Sequence, residues 1–342
     1  MKKDKVTVQD IADALGFSRN TVSKALNGQY VPPKTRNLVL NTAIEMGYKS
    51  YNSIASSSDS FRTHKRIALV TSRYLMNINY YIYVMRGIES ALEDKDIELL
   101  QFTVTSAATF RKLTDFMEES KIDGVLCIEL FQHNYLDELI SLGYPLVSLD
   151  FPSLAPPVMG KFDLILPESF RCIRTYCLQL IAEKECKTFG FVGDYLHCRS
   201  FYDRFLGMRE ALFVSDIPFD PQYSITVSEN DLAYANPYAL YEILSDRKAL
   251  PQCFVCANDS IALALIEALK KLRKRVPKDC LVFGFDNVPE AKSNEPALTT
   301  FSVDKVALGK RLLSMLLERI DFPQNKSQTV YIESRLIVRQ TT

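Results

Sequence analysis

The stretch VTVQDIADALGFSRNTVSKALN, residues 6–27, decides the reading of this chain. Thr7 is placed to N-cap a first helix, its hydroxyl accepting an orphan backbone N–H. Val8, Ile11, Ala12 and Leu15 then recur at helical spacing on one face. Gly16 stands where a chain leaving a helix takes a positive φ. Ser18 is placed to cap a second helix, with Val22, Ala25 and Leu26 on its apolar face. Arg19, Asn20, Ser23 and Lys24 are left on the other face. Arg and Lys can pair with guanine O6 and N7, Asn with adenine N6 and N7, and hydroxyls bond phosphates. A groove-reading helix works mainly from its N-terminal residues, which here are Arg19 and Asn20. The same spacing also suits an ordinary solvated helical hairpin, so the pattern alone leaves both readings open.

The flanking sequence favours nucleic acid. Pro33 is placed to start a third helix, with Lys34, Thr35 and Arg36 in its first turn and Gly47 as its stop. Leu38, Val39, Ala43 and Met46 give it an apolar face that can close a three-helix core. Residues 1–66 hold eleven Lys and Arg against five acids, a charge of +6, and residues 67–342 carry −6. The chain total of zero therefore hides a basic head on an acidic body.

These residues resemble the DNA-binding head of the lactose-repressor/galactose-repressor (LacI/GalR) family. The family's T-V-S-x-x-L/V-N, K-T-R and G/N-Y marks stand here as Thr21-Val22-Ser23-Lys24-Ala25-Leu26-Asn27, Lys34-Thr35-Arg36 and Gly47-Tyr48. The resemblance implies that Arg19, Asn20 and Lys24 read bases. It implies that Thr7, Ser18, Thr21, Ser23, Asn27 and Thr35 anchor phosphates. Residues 50–65 are Ser-rich and fall where the family has a hinge helix that wedges a leucine into the minor groove. Asn52 and Ala55 match that pattern, but Ser50 replaces the proline and Ser57 or Ser58 the leucine. Serine cannot unstack a base step. Either the kink is weaker, or Ile54 substitutes, or the segment is a plain tether.

From Arg66 onward, short apolar runs alternate with amphipathic helices such as 83–92, 170–182 and 260–272. The runs lie at 67–70, 124–128, 145–149, 189–192, 253–256 and 281–285. Such runs suit strands buried on both faces of a parallel sheet, and the alternation gives an α/β, doubly wound body. They end in Thr71-Ser72, Asp150, Gly193-Asp194, Asn258-Asp259 and Asp286-Asn287. Ligands bind beyond the carboxyl ends of such strands. Of the Asn258-Asp259 pair, Asp259 reads as the helix N-cap and Asn258 as the ligand group.

The body resembles the family's effector domain, which is like a periplasmic sugar-binding protein. Its marks include Ile122-Asp123-Gly124-Val125, Tyr144-Pro145-Leu146-Val147, Arg204-Phe205-Leu206-Gly207, Ala257-Asn258-Asp259-Ser260 and Phe283-Gly284-Phe285-Asp286. The resemblance implies an effector cleft lined by Ser72, Asp150, Arg204, Asn258 and Asp286, with Ser200 added by position. Tyr80 and Tyr81 fall where the family stacks rings on the ligand, although core packing is an equal alternative. The fold expected is a small all-α helix-turn-helix head on a periplasmic-binding-protein-like body of two doubly wound subdomains. Its boundaries are 1–49 for the head, 50–65 for the hinge, 66–163 with 297–324 for one subdomain, and 164–296 with 325–342 for the other.

The function expected is a cytoplasmic, dimeric regulator, most often a repressor in such a family. It would bind pseudo-palindromic double-stranded operator DNA and answer to a small polar effector, a sugar or else a nucleobase. No apolar run is long enough to span a bilayer, and no secretion signal follows MKKDKVTVQD, which argues against a sugar-binding transport protein. No heptad tail follows Gln340-Thr341-Thr342, so a dimer and not a coiled-coil tetramer is expected. Neither G-x-x-x-x-G-K-[ST] nor G-x-G-x-x-G occurs, and no His-based nucleophile cluster, so no enzyme and no cofactor are expected. The Cys253-Phe-Val-Cys256 spacing lies in an apolar run, with no second pair, and reads as buried core thiols and not a metal site.

Overall fold

In the computed structural model, the residues described are 6–26, 31–32, 35, 38–39, 42–43, 46, 48, 64–72, 78–153, 162–226 and 234–342. The chain divides into two compact units, Met1–His64 and Lys65–Thr342. Asn27, Lys34, Arg36, Gly47 and the hinge positions Ser50, Asn52, Ile54, Ala55, Ser57 and Ser58 lie outside the described residues.

The first unit contains α1 (Val8–Leu15) and α2 (Arg19–Leu26). A reciprocal cap starts α1: Thr7 accepts from the Asp10 N–H, and the Thr7 N–H donates to Asp10 Oδ2 at 2.7 Å. Gly16, at φ 66, ends it by donating to Ala12 O. Ser18 Oγ accepts the Thr21 N–H at 3.1 Å and starts α2. Ile11, Ala12, Val22, Ala25, Val31, Val39 and Ala43 form a shared buried core, and Thr35, Leu38, Val39, Thr42 and Ala43 are helical.

The second unit holds two sheets. The strands are β1 (Lys65–Ser72), β2 (Ile97–Val104), β3 (Gly124–Ile128), β4 (Leu146–Leu149), β5 (Asp163–Pro167), β6 (Phe189–Val192), β7 (Cys253–Cys256), β8 (Leu281–Phe285), β9 (Thr299–Val303), β10 (Thr329–Ile332) and β11 (Ser334–Ile337). The helices are α3 (Ile78–Leu92), α4 (Ala107–Glu119), α5 (His133–Ser141), α6 (Phe170–Lys184), α7 (Arg199–Val214), α8 (Pro237–Ser245), α9 (Asp259–Lys271), α10 (Pro289–Ser293) and α11 (Lys305–Asp321). The first sheet runs β10-β5-β4-β3-β1-β2, with every pairing parallel. The second runs β11-β9-β8-β7-β6 and is parallel except for the β11–β9 edge.

Alternation along β1 shows the layering. Ile67 and Leu69 pack with Val84 and Ile88 of α3 and Leu308, Leu312 and Leu316 of α11. Ala68 and Val70 face the other way, onto Phe110, Leu113 and Met117 of α4. The second sheet sits in one larger core that includes Cys177, Cys186, Cys253, Cys256 and Cys280. Burial pushes those thiols up, Cys253 and Cys256 well above the ordinary thiol value.

The subdomain boundaries differ from those expected at three places. β5 belongs to the first sheet, so the chain crosses after Pro167 and not after residue 163. β9 pairs with β8 in the second sheet, so the return crossing falls after Val303 and not at 297. β10 pairs with β5 in the first sheet, so the last crossing comes just before Ser334 and not at 325. In each case a short edge or flanking strand with weak sequence signal is assigned by its tertiary pairing. Two contacts fasten these returns. Buried Asp163 and Arg319 pair bidentately at 2.6 and 2.7 Å, and the Glu168 N–H donates to Ile332 O at 2.7 Å.

Candidate functional site

On α2, Val22, Ala25 and Leu26 are buried, and Arg19, Asn20 and Lys24 are exposed on one side. Thr21 and Ser23 are half-buried, as is Thr35. The caps use two of the expected phosphate hydroxyls. Thr7 Oγ1 donates to Asp10 Oδ2 at 2.6 Å, and Ser18 Oγ shares a 2.9 Å bond with Thr21 Oγ1. The Thr7 hydroxyl bond also holds the Asp10 carboxyl below its ordinary value. In this conformation the Thr7 proton is committed to Asp10, so its hydroxyl has no donor left for a phosphate.

In the second unit, one cavity draws on both sheets at the carboxyl ends of their strands. The space between its atoms, the open mouth included, is about 500 Å³. It is a narrow slot. The first sheet contributes Tyr80, Glu129, Phe131, Leu149, Asp150 and Pro167, and the second His197, Cys198, Ser200, Phe201, Arg204, Asn258 and Asp286. Six of the eight expected cleft residues therefore converge: Tyr80, Asp150, Ser200, Arg204, Asn258 and Asp286. Two do not. Ser72, half-buried at the end of β1, is not among the lining residues. Tyr81 packs into the core beneath α3 and accepts from Gln101 Nε2 at 2.6 Å, so the core-packing alternative describes it.

Arg204 is buried on α7 and held on every side. Its Nη1 donates to Ala257 O and its Nε to Ser169 Oγ at 3.4 Å. The guanidinium lies 3.7 Å from the centroid of the Phe285 ring, and Asp286 Oδ1 is 4.0 Å from Nη2. Stacking and hydrogen bonding fix the fork so that its remaining edge faces the slot. Asp150 Oδ1 accepts the Phe151 N–H at 2.8 Å and the Ser200 N–H, at the start of α7, at 3.3 Å.

At the end of β7 the helix cap falls to Asn258 and not to Asp259. Asn258 is the N-cap of α9, its Oδ1 accepting the Ile261 N–H at 3.0 Å, and it also lines the slot. Asp259 turns inward, accepting from Thr300 Oγ1 at 2.6 Å and from the Val288 N–H at 3.0 Å. Burial first, then the nearby Asp286 charge, pushes its carboxyl up to about 7. The capping carboxylate of the sequence reading is a buried tie between α9, β9 and the turn after β8.

Sequence reading missed Glu129, Phe131, His197, Cys198 and Phe201. The imidazole of His197 packs edge-on to Phe131 at 4.7 Å and near Phe201 at 5.6 Å. Its Nε2 and the Ser200 Oγ are buried with no hydrogen-bond partner. Burial lowers the His197 pKa, so the ring stays neutral to a lower pH than an exposed imidazole does. Glu129 had a legible signal, a carboxylate just after the β3 run, where Asp150 and Asp286 were recognised.

This geometry defines a class: a two-sheet body of the periplasmic-binding-protein type, joined in sequence to a helix–turn–helix head. The periplasmic binding protein-like domain family matches residues 178–342. The HTH-type transcriptional repressor PurR of Mannheimia succiniciproducens is 28% identical over 343 residues, 98% of each chain. The HTH-type transcriptional regulator CelR of Thermobifida fusca is 26% identical over 345 residues, 99% of each chain. Among solved structures, a CelR–cellobiose complex has a TM-score of 0.71 at 22% identity, covering 99% of this chain and 100% of that one. A lac repressor dimer bound to operator and the anti-inducer ONPF has a TM-score of 0.67 at 19% identity, covering 99% of each. Over nearly its whole length the chain is thus similar to HTH-type transcription regulators, and it shares the fold of LacI-type repressors. No helix among the described residues is long and apolar enough to cross a membrane.

Proposed function

We propose that the protein is a repressor that binds a pseudo-palindromic operator as a homodimer and is controlled by a small polar effector, a sugar, held in the slot between the two sheets. The observation that carries this reading is the convergence of Tyr80, Asp150, Ser200, Arg204, Asn258 and Asp286 from both sheets onto one cavity. Carboxylates, an amide and a fixed guanidinium bond vicinal hydroxyls, and aromatic rings cover the apolar face of a sugar. The cellobiose held by CelR supports the same ligand class. Arg19, Asn20 and Lys24 read bases. Ser18, Thr21, Ser23, Asn27 and Thr35 contact phosphates, and Thr7 does so only if its cap opens. The ligand bridges the sheets and biases the angle between them about the three crossings, which shifts the dimer between two states of different operator affinity. The head spans 1–49, the hinge 50–64, and the two subdomains 65–167 with 304–333 and 168–303 with 334–342.

A second reading, a nucleobase effector, is favoured by one feature: the narrowness of the slot between Tyr80, Phe131, His197 and Phe201 suits a flat ring. A thermal-shift screen of sugars and nucleobases separates the two, because a ligand at 100 times its Kd stabilises the native state by about 2.7 kcal/mol. The wider reading is tested by band shift with genomic fragments, with and without the compound found. The wild type should change its operator affinity on adding that compound, and Arg204→Ala should still bind operator but no longer respond. A normally responding Arg204→Ala protein would overturn the cleft assignment.

A further inference from the structure

We propose that the slot sorts ligands by charge: it admits an uncharged, hydroxyl- or amine-rich molecule and rejects the phosphorylated form of the same molecule, with Glu129 setting the boundary. The inference rests on the slot being the effector site.

Three acids stand at the ends of three strands and line the slot: Glu129 after β3, Asp150 after β4 and Asp286 after β8. All three have positive φ, at 54°, 63° and 112°. Left-handed backbone is uncommon for a residue with a side chain, more so for Glu than for Asp, and such conformations cluster at functional sites. The turns thus hold three carboxylates against one small space.

Each cation nearby is already held by partners within the chain. Arg204 is bound by Ala257 O and Ser169 Oγ and lies flat on Phe285. Lys305 donates to the Asp286 carbonyl. Arg199 pairs with Asp203 at 2.7 Å. Helix N-termini are the usual seats of phosphate, and those of α7 and α9 at the slot are filled from within the chain. Asp150 accepts the Ser200 N–H at the start of α7, and Asn258 caps α9. The field inside the slot is negative: Asp286, Asp150 and Glu129 all add to burial in raising the Tyr80 hydroxyl well above its ordinary value, opposed by Arg204. Two neutral groups of the slot lining, Ser200 Oγ and His197 Nε2, are buried without hydrogen-bond partners. A phosphate carries about two negative charges at pH 7 and would lie among three carboxylates. A ligand with donors toward the acids and one acceptor or donor for Ser200 and His197 satisfies every group.

The test is calorimetry and thermal shift on the full-length protein with matched probes: D-glucose and glucose 6-phosphate, D-ribose and ribose 5-phosphate, cellobiose, and adenosine and AMP. The unphosphorylated member of a pair should bind, and its phosphorylated counterpart should bind on the order of 100-fold more weakly or not at all. Glu129→Gln, which keeps the shape and removes the charge, should narrow that ratio at least about tenfold, and Asp150→Asn should narrow it in the same direction. Melting of the unliganded variants checks that both are folded. Equal or tighter binding of a phosphorylated member, or a ratio unmoved by both variants, overturns the proposal while leaving the effector site standing. Binding by no probe overturns the effector site, and the proposal with it.

Discussion

Asp259 shows what a single side chain can decide. It is fully buried, tied to Thr300 and Val288, and its carboxyl titrates at about 7 against 3.8 for an exposed Asp. The folded state therefore holds a proton that the unfolded chain has lost between those values. This group's contribution to stability is full below pH 4 and declines as pH rises toward 7, at up to about 1.4 kcal/mol per unit. Urea denaturation from pH 4.5 to 7.5 should show a smaller decline for Asp259→Asn than for the wild type. An unchanged pH slope would show that the carboxyl is not protonated in the fold. In the sequence the residue reads as a strand-end acid and helix N-cap. Its neighbours Val288 and Thr300 come from segments 29 and 41 residues away, so nothing local marked it as buried.

At the scale of elements, helix pairs are set by glycines that the strand-and-helix pattern did not single out. α3 and α11 cross where Gly87 meets Gly309, with the Gly309 Cα 3.0 Å from where a Cβ on Gly87 would sit. A Cβ at Gly309 would overlap the Val84 carbonyl oxygen. Gly309→Ala must push the helices apart, and should lower stability by about 1–3 kcal/mol, read as a lowered Tm in calorimetry. α6 and α7 meet in the same way at Gly207, where an added Cβ would be 2.5 Å from Phe170 O. In the head, α2 carries a different prediction. Arg19→Ala should reduce preference for operator over random DNA, whereas Thr35→Ala should weaken both about equally. Competition band shifts measure the two ratios, and equal losses for both variants would contradict the division between base and phosphate contacts.

For the whole molecule, the split of charge matters more than its zero total. With +6 in residues 1–66 and −6 in the remainder, DNA affinity should reside in the head and fall steeply with salt. The logarithm of the operator binding constant should fall linearly with the logarithm of salt, with a slope of about −0.9 per phosphate neutralised. A flat response in filter binding between 50 and 200 mM salt, on the order of the physiological range, would remove the electrostatic basis of the reading. The body depends on its crossings instead. Asp163→Ala would leave Arg319 buried and unpaired, and should cost about 3–5 kcal/mol in chemical denaturation.

Local rules carried much of this chain. Caps and a left-handed glycine placed α1 and α2 because helix ends are satisfied by neighbours a few residues away. Short apolar runs placed β3, β6 and β7 because both their faces are buried. The six strand-end and helix-start residues of the slot were legible for the same reason. Tertiary structure decided the rest. Strands β5, β9 and β10 take their sheet from their pairing partners, which moved the three crossings. It gave Tyr81 to the core, gave the cap of α9 to Asn258 while burying Asp259, and brought Glu129 and His197 into the slot. The physical reason is one of range: hydrogen-bond caps and hydrophobic periods act within a few residues, whereas burial and charge proximity exist only after distant segments have packed.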